Sequence, residues 1–97
     1  MAVPITTGAN PERVTISHSQ WTKTHVNVNI GVVKNESAES QEMFLTYLLT
    51  GATAPTTLEG QPIWKVHTPA VRVNDGVTLR DIYVWAVKTD AEITVEG

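Results

Sequence analysis

His18, His25 and His67 are the side chains best placed by type to carry a proton near neutral pH or to hold a soft metal. A metal site would need them at spacings such as HxH or HExxH, and their intervals match neither. Surface or interface positions are the expectation for all three. Asp75, Asp81 and Asp90 fall at expected turns or strand ends, where a carboxylate bonds nearby backbone, so a paired-carboxylate acid and base is not expected. GxSxG, P-loop and GxGxxG patterns are absent. With no cysteine in the chain, thiolate chemistry, thiolate metal sites and disulfides are excluded as well. The expectation is a protein that binds rather than turns over, with no catalytic residue, no metal and no cofactor.

Tryptophan is the more telling residue type. Trp21, Trp64 and Trp85, with Tyr47 and Tyr83, are many large aromatics for 97 residues. Trp85 lies in the most apolar stretch and is read as core. Trp21 and Trp64 lie near strand ends, where three roles stay open: core, a subunit or partner interface, or a platform on which a sugar ring stacks.

The elements that position these residues are β-strands. Ile82 to Val87 is nearly all β-branched or aromatic on both faces, the pattern of a central strand, and Glu92 to Glu96 alternates with Ile93 and Val95 inward. The polar residues 88–91 between them suggest a closing hairpin. Arg13 to Ser17 pairs Val14 with Ile16 on one face. Gln20 to Lys34 reads as one long half-buried strand, with Val26, Val28, Ile30 and Val32 inward and His25, Asn27, Asn29 and Gly31 outward. Gly31 within it implies a bulge or a close backbone approach. Residues 35–42 form a polar loop. In Met43 to Thr50, Met43, Phe44, Tyr47 and Leu48 share a helical face, but the run is short, nearly continuous in apolar residues and flanked by β-patterns, which favours a buried strand. A turn-rich connection over 50–61, strands at 62–67 and 70–73, and an Asn74-Asp75-Gly76 turn complete the series.

Pro4, Gly8, Asn10 and Pro11 make residues 1–12 an extended N-terminal arm before a single β-sandwich domain over 13–97. Pro4 and Ile5 of that arm, with Trp21 and Trp64, are the candidate partner or subunit contacts. Ten acidic and seven basic side chains give a net charge of -3, and the bases are scattered, so no stripe suited to nucleic-acid phosphates is present. No apolar run approaches the roughly 18 residues of a membrane span, and the first residues lack the basic and apolar regions of a secretory signal. A soluble product of the cytoplasm is expected.

The TAPT turn at Thr53 to Thr56, the loop at Gly60 with its following apolar strand, and the terminal DIYVWAVKTDAEITVEG together resemble small virion proteins of tailed bacteriophages, the capsid decoration (cement) proteins and related head-fibre bases. The likeness covers roughly the C-terminal half. It implies an all-β, antiparallel β-sandwich or jelly-roll-like fold, assembly as a homotrimer on the capsid surface of a virion, the major capsid protein as partner, and synthesis in the host cytoplasm. Two other placements remain open: a carbohydrate- or host-receptor-binding module with a glycan partner, and a tail or neck component of a virion.

Overall fold

The computed structural model describes residues 4–36, 42–56, 64–65, 71–73 and 76–97. Eight strands are present among them: β1 Glu12–Ile16, β2 Trp21–Val28, β3 Gly31–Asn35, β4 Met43–Leu49, β5 Trp64–Lys65, β6 Val71–Val73, β7 Arg80–Ala86 and β8 Ala91–Glu96. They form two four-stranded antiparallel sheets, in the orders β1-β8-β3-β6 and β2-β7-β4-β5. The first strand pairs with the last, the second with the seventh, the third with the sixth and the fourth with the fifth. The chain is thus one long hairpin rolled on itself. Rolling adds the β3–β8 and β4–β7 pairings and completes the jelly-roll-like order of a β-sandwich.

Strand alternation supplies the interior. β1 contributes Val14 and Ile16, β8 contributes Ala91, Ile93 and Val95, and β3 contributes Val33; Val28, Met43, Leu45, Ile82, Val84 and Ala86 face them from the second sheet. β7 is central, between β2 and β4, as its doubly apolar pattern requires. Met43–Leu49 is a strand because Met43 and Leu45 must reach one flat core while Phe44 and Thr46 face away; helical spacing would scatter them.

Two expectations are corrected. Residues 20–34 are not one strand: β2 and β3 lie in different sheets, joined at Asn29 and Ile30, with Ile30 exposed. β2 carries two register shifts against β7, between Lys23 and His25 and between His25 and Val28. Each extra residue reverses the side-chain parity, so an unbroken alternation in sequence does not remain one face in space. The residues 88–91 also do not close a hairpin. β7 and β8 face each other across the core instead of pairing, so the connection crosses from one sheet to the other.

His25 shows what the first register shift achieves. It pairs with Ile82, whose side chain is in the core, and its imidazole is fully buried. The expected surface position is therefore overturned. Gly31 lies against this ring: a methyl group there would come within 2.8 Å of His25 Cδ2 and Nε2 and 2.9 Å of Ile82 Cδ1. This is the close approach that a glycine inside a strand pattern implied. The His67 and Asp75 positions, the side chain of Trp64, most of the 62–67 strand and the Asn74-Asp75 turn lie outside the described residues.

Gly31→Ala should destabilise the fold by about 1–3 kcal/mol, the range for overpacking an interior. Urea unfolding checks it; an unchanged midpoint would contradict the close approach.

Candidate functional site

Among the described residues, the outward side of the β2-β7-β4-β5 sheet is the aromatic one: Trp21, Phe44 and Trp85 are half-buried there, whereas Asp81, Tyr83 and Thr46 on the same side are buried. Side chains alternate along β7, so Ile82, Val84 and Ala86 face the core and Asp81, Tyr83 and Trp85 face out. Register then fixes their neighbours. Trp85 stands between Trp21 of β2 and Phe44 of β4, and Tyr83 stands between Lys23 and Thr46. Trp85 is therefore half-buried on the outer face, not core as its apolar strand implied.

The two indoles meet edge to face, with ring centroids 5.5 Å apart and planes at 67°. Such a contact adds about 0.5–1.5 kcal/mol to the area it buries. Lys23 lies 5.7 Å from the Tyr83 ring centroid, and its Nζ is 3.5 Å from Asp81 Oδ2. Desolvation pulls the Lys23 ammonium down, but Tyr83 and Asp81 together outweigh it and hold its pKa above the ordinary lysine value. Asp81 also accepts a 2.9 Å bond from the Asn27 N–H, at a residue with φ 55°. That bond holds the second irregularity of β2 open, and asparagine tolerates the left-handed conformation better than most residues. Asp81 thus serves a neighbouring strand, not its own turn. Beside this set, Thr46 Oγ1 and Tyr83 OH are buried without hydrogen-bond partners.

The opposite outer face has another character. Arg13 pairs with Glu92 at 3.2 Å, Lys34 lies 3.8 Å from Glu36, and Thr94 donates a 2.7 Å hydrogen bond to Glu36. The Thr94 bond, aided by nearby cations, holds the Glu36 carboxyl below the ordinary value. It is a hydrated polar surface. Exposed pairs of this kind contribute at most about 1 kcal/mol each.

Of the four candidate contacts, the structure places Trp21 in the aromatic row and Trp64 in β5 at the far side of the same sheet. Pro4 is exposed, whereas Ile5 is buried in the core. Ile5 donates its N–H to Thr24 O and accepts from the Val26 N–H, both at 2.9 Å, so the segment from Pro4 lies along β2 of its own domain. Trp21 and Trp64 thus share a sheet with Trp85, and Pro4 and Ile5 lie apart from the Trp21–Trp85 contact, along the β2 segment around His25.

Two histidine environments were invisible in the sequence. Asp90 accepts from the His18 N–H at 3.1 Å and lies 2.7 Å from Nδ1. These bonds hold the Asp90 carboxyl below its ordinary value. The two are 72 positions apart, and only the rolled topology joins them. The pair pins an exposed turn in which Ser19 has φ 58°. His25 donates from Nε2 to the Glu96 carbonyl at 2.9 Å, a bond from the second sheet to the first, and its Nδ1 lies 2.9 Å from Thr24 Oγ1. A carbonyl only accepts, so Nε2 carries the proton and Nδ1 is the acceptor of the neutral ring; the Thr24 hydroxyl has a single proton for Nδ1 and for the Ile82 carbonyl 3.3 Å away, and Nδ1 is the nearer of the two. Among the described residues, no group of three or more His, Asp or Glu side chains is placed to hold a metal, and no helix is long and apolar enough to cross a membrane.

Burial lowers the His25 pKa below 6.5, only partly countered by the Glu96 bond. The unfolded chain therefore takes up a proton near pH 6.5 that the folded chain refuses. The contribution of His25 to stability is complete above that pH and declines as pH falls through and below it. Denaturation at a series of pH values should show this loss, reduced in His25→Gln; the same slope in both proteins would contradict the buried neutral imidazole.

No known protein family, no curated protein and no solved structure matches this chain.

Proposed function

We propose that this protein is a structural binding module of a virion, a decoration protein that reinforces a bacteriophage capsid by bridging its subunits. The observation that carries the reading is the contrast between its two outer faces. One sheet presents Trp21, Trp85 and Phe44 in a row across three strands, and the other presents charged and hydroxylated side chains in local pairs. Aromatic residues concentrate where protein interfaces bind most tightly, whereas scattered ion pairs mark solvated surface. The rolled strand order is one that capsid and lectin domains both use, so it supports binding without choosing a partner. The resemblance of the C-terminal half to cement proteins supplies that choice: the major capsid protein, with the module as a homotrimer on the capsid surface.

In this mechanism, contacts made by the aromatic face hold adjacent capsid subunits together against the outward stress of packaged genome. Docking on a large lattice stabilises the bound fold by mass action, which suits a small domain without disulfides. The edge-to-face indoles also favour a second reading, a glycan-binding module in which a sugar stacks on Trp21. A tail or neck position would use the same face against a different virion protein.

Light scattering and co-sedimentation with empty capsids from the same source should give a trimer that pellets with the shells. Trp21→Ala should remain folded and lose at least tenfold in shell affinity, a loss on the scale of an aromatic hot spot. A chain that ignores shells, while glycans quench its tryptophan fluorescence, would replace the capsid reading with the lectin one.

A further inference from the structure

β1 is the outer strand of its sheet and pairs with β8 alone. Register shows which of its backbone groups that pairing uses. Glu36 donates its N–H to the Glu92 carbonyl at 2.9 Å, continuing the β3–β8 register in which Asn35 faces Ile93 and Lys34 faces Thr94. Opposed residues that exchange bonds recur at every second position of an antiparallel pair. Glu92, Thr94 and Glu96 therefore bond toward β3, and Ala91, Ile93 and Val95 bond toward β1, where they face Ile16, Val14 and Glu12. Arg13 and Thr15 are left with N–H and C=O groups directed away from the sheet, and no described residue bonds them.

An open strand edge pairs readily with a further strand, and folded proteins guard such edges with bulges, prolines, lysines or a covering segment. The β2 edge of the other sheet is guarded twice, by its two register shifts and by the Ile5 segment bonded along it. β1 has neither guard. Its five residues pair with β8 without a shift, none is proline or lysine, and Glu92 draws the Arg13 charge back over β8 at 3.2 Å.

We propose that β1 is an association edge for a second copy of this chain, which adds its own β1 antiparallel and centred on Val14, so that Arg13 of each copy exchanges backbone bonds with Thr15 of the other. Only an extended backbone offers donors and acceptors at the spacing of the open groups. Side-chain pattern then selects the occupant. A strand added here needs apolar residues beside Val14, on the core side, and polar ones beside the exposed Arg13 and Thr15. β1 itself has that alternation, and it carries the same open groups, so one contact satisfies both copies. In this register Val14 meets Val14 and Arg13 meets Thr15, so the two arginines do not stand directly opposite each other. The contact goes beyond the capsid reading: it lies at a sheet edge and leaves the aromatic face free. An edge this short buries little area, so the dissociation constant should be on the order of 1 mM.

The test is NMR of the full chain over a concentration series, with a sample in which half the molecules carry carbon-13. Val14 Hα should show a contact to Val14 Hα of an unlabelled copy, the close approach expected where opposed residues exchange no bonds. Amide exchange at Arg13 and Thr15 should slow as concentration rises. Thr15→Lys sets a lysine opposite Arg13 of the other copy, while in its own sheet it faces Glu92, so it should keep the thermal midpoint and weaken association about fivefold. No Val14 contact between copies, exchange at Arg13 and Thr15 that ignores concentration, or undiminished association of a folded Thr15→Lys would each overturn the proposal. The Val14 contact is read on the unmodified protein, so it decides even if the variant folds poorly. None of these readouts involves shells: a chain that pairs through β1 but ignores capsids keeps this contact and loses the capsid reading.

Discussion

The His25 imidazole bridges the interior between the two sheets, and much of the surrounding structure follows from keeping it there neutral and fully bonded. A hydrogen bond of this kind contributes only about 0.5–1.5 kcal/mol net, but leaving either nitrogen unpaired in the core would cost about 1–3 kcal/mol. Several features surround it. The register shift of β2 turns the ring inward, Thr24 supplies the donor for Nδ1, the Glu96 carbonyl receives Nε2–H, and residue 31 has no side chain to collide with it. Ile5 is paired with His25 through the backbone of β2, so the chain at Ile5 is fixed at the same place. Irregularity in β2 is therefore not a defect in the sheet. It is the means by which one strand serves the core with His25 and the outer face with Trp21 and Lys23.

This division of labour explains why the two outer faces differ. The β1-β8-β3 side has regular alternation and displays the short-range charge pairs typical of hydrated sheet surface. The β2-β7-β4 side has a central strand with aromatics directed outward, and β2 adds Trp21 beside Trp85 while Asp81 anchors Lys23 and Asn27. Half-buried Trp21 and Trp85, edge to face, and a lysine held over a buried tyrosine make this the apolar outer side, against the charge pairs of the other.

Much of the fold was legible because local alternation and tertiary placement agree in most strands. Val14 with Ile16 and Ile93 with Val95 reported their positions correctly, and the doubly apolar Ile82 to Val87 marked the central strand although Trp85 within it lies on the outer face. Sequence reading failed where a long-range requirement overrode periodicity. Nothing in the alternation of residues 20–34 signals that β2 contains extra residues or that the chain changes sheets at Asn29, although Gly31 marked the packing constraint that results. The residues after β7 look like a hairpin turn because turn chemistry is local, whereas the decision to pair or to cross the core depends on β1 and β3 claiming the edges of β8. Trp21 was recognised as a candidate contact from its type, but its contact with Trp85 and the His18–Asp90 pair exist only through the rolled topology.

The state of the His25 ring tests the central constraint most directly. Nitrogen-15 NMR of the imidazole should show a protonated Nε2, an unprotonated Nδ1 and no titration as pH is lowered through 6.5 in the folded protein. The Nε2 proton should also be protected from exchange. A ring that takes up its second proton near 6.5, or that carries its single proton on Nδ1, would contradict the bond between the sheets and the organisation built around it.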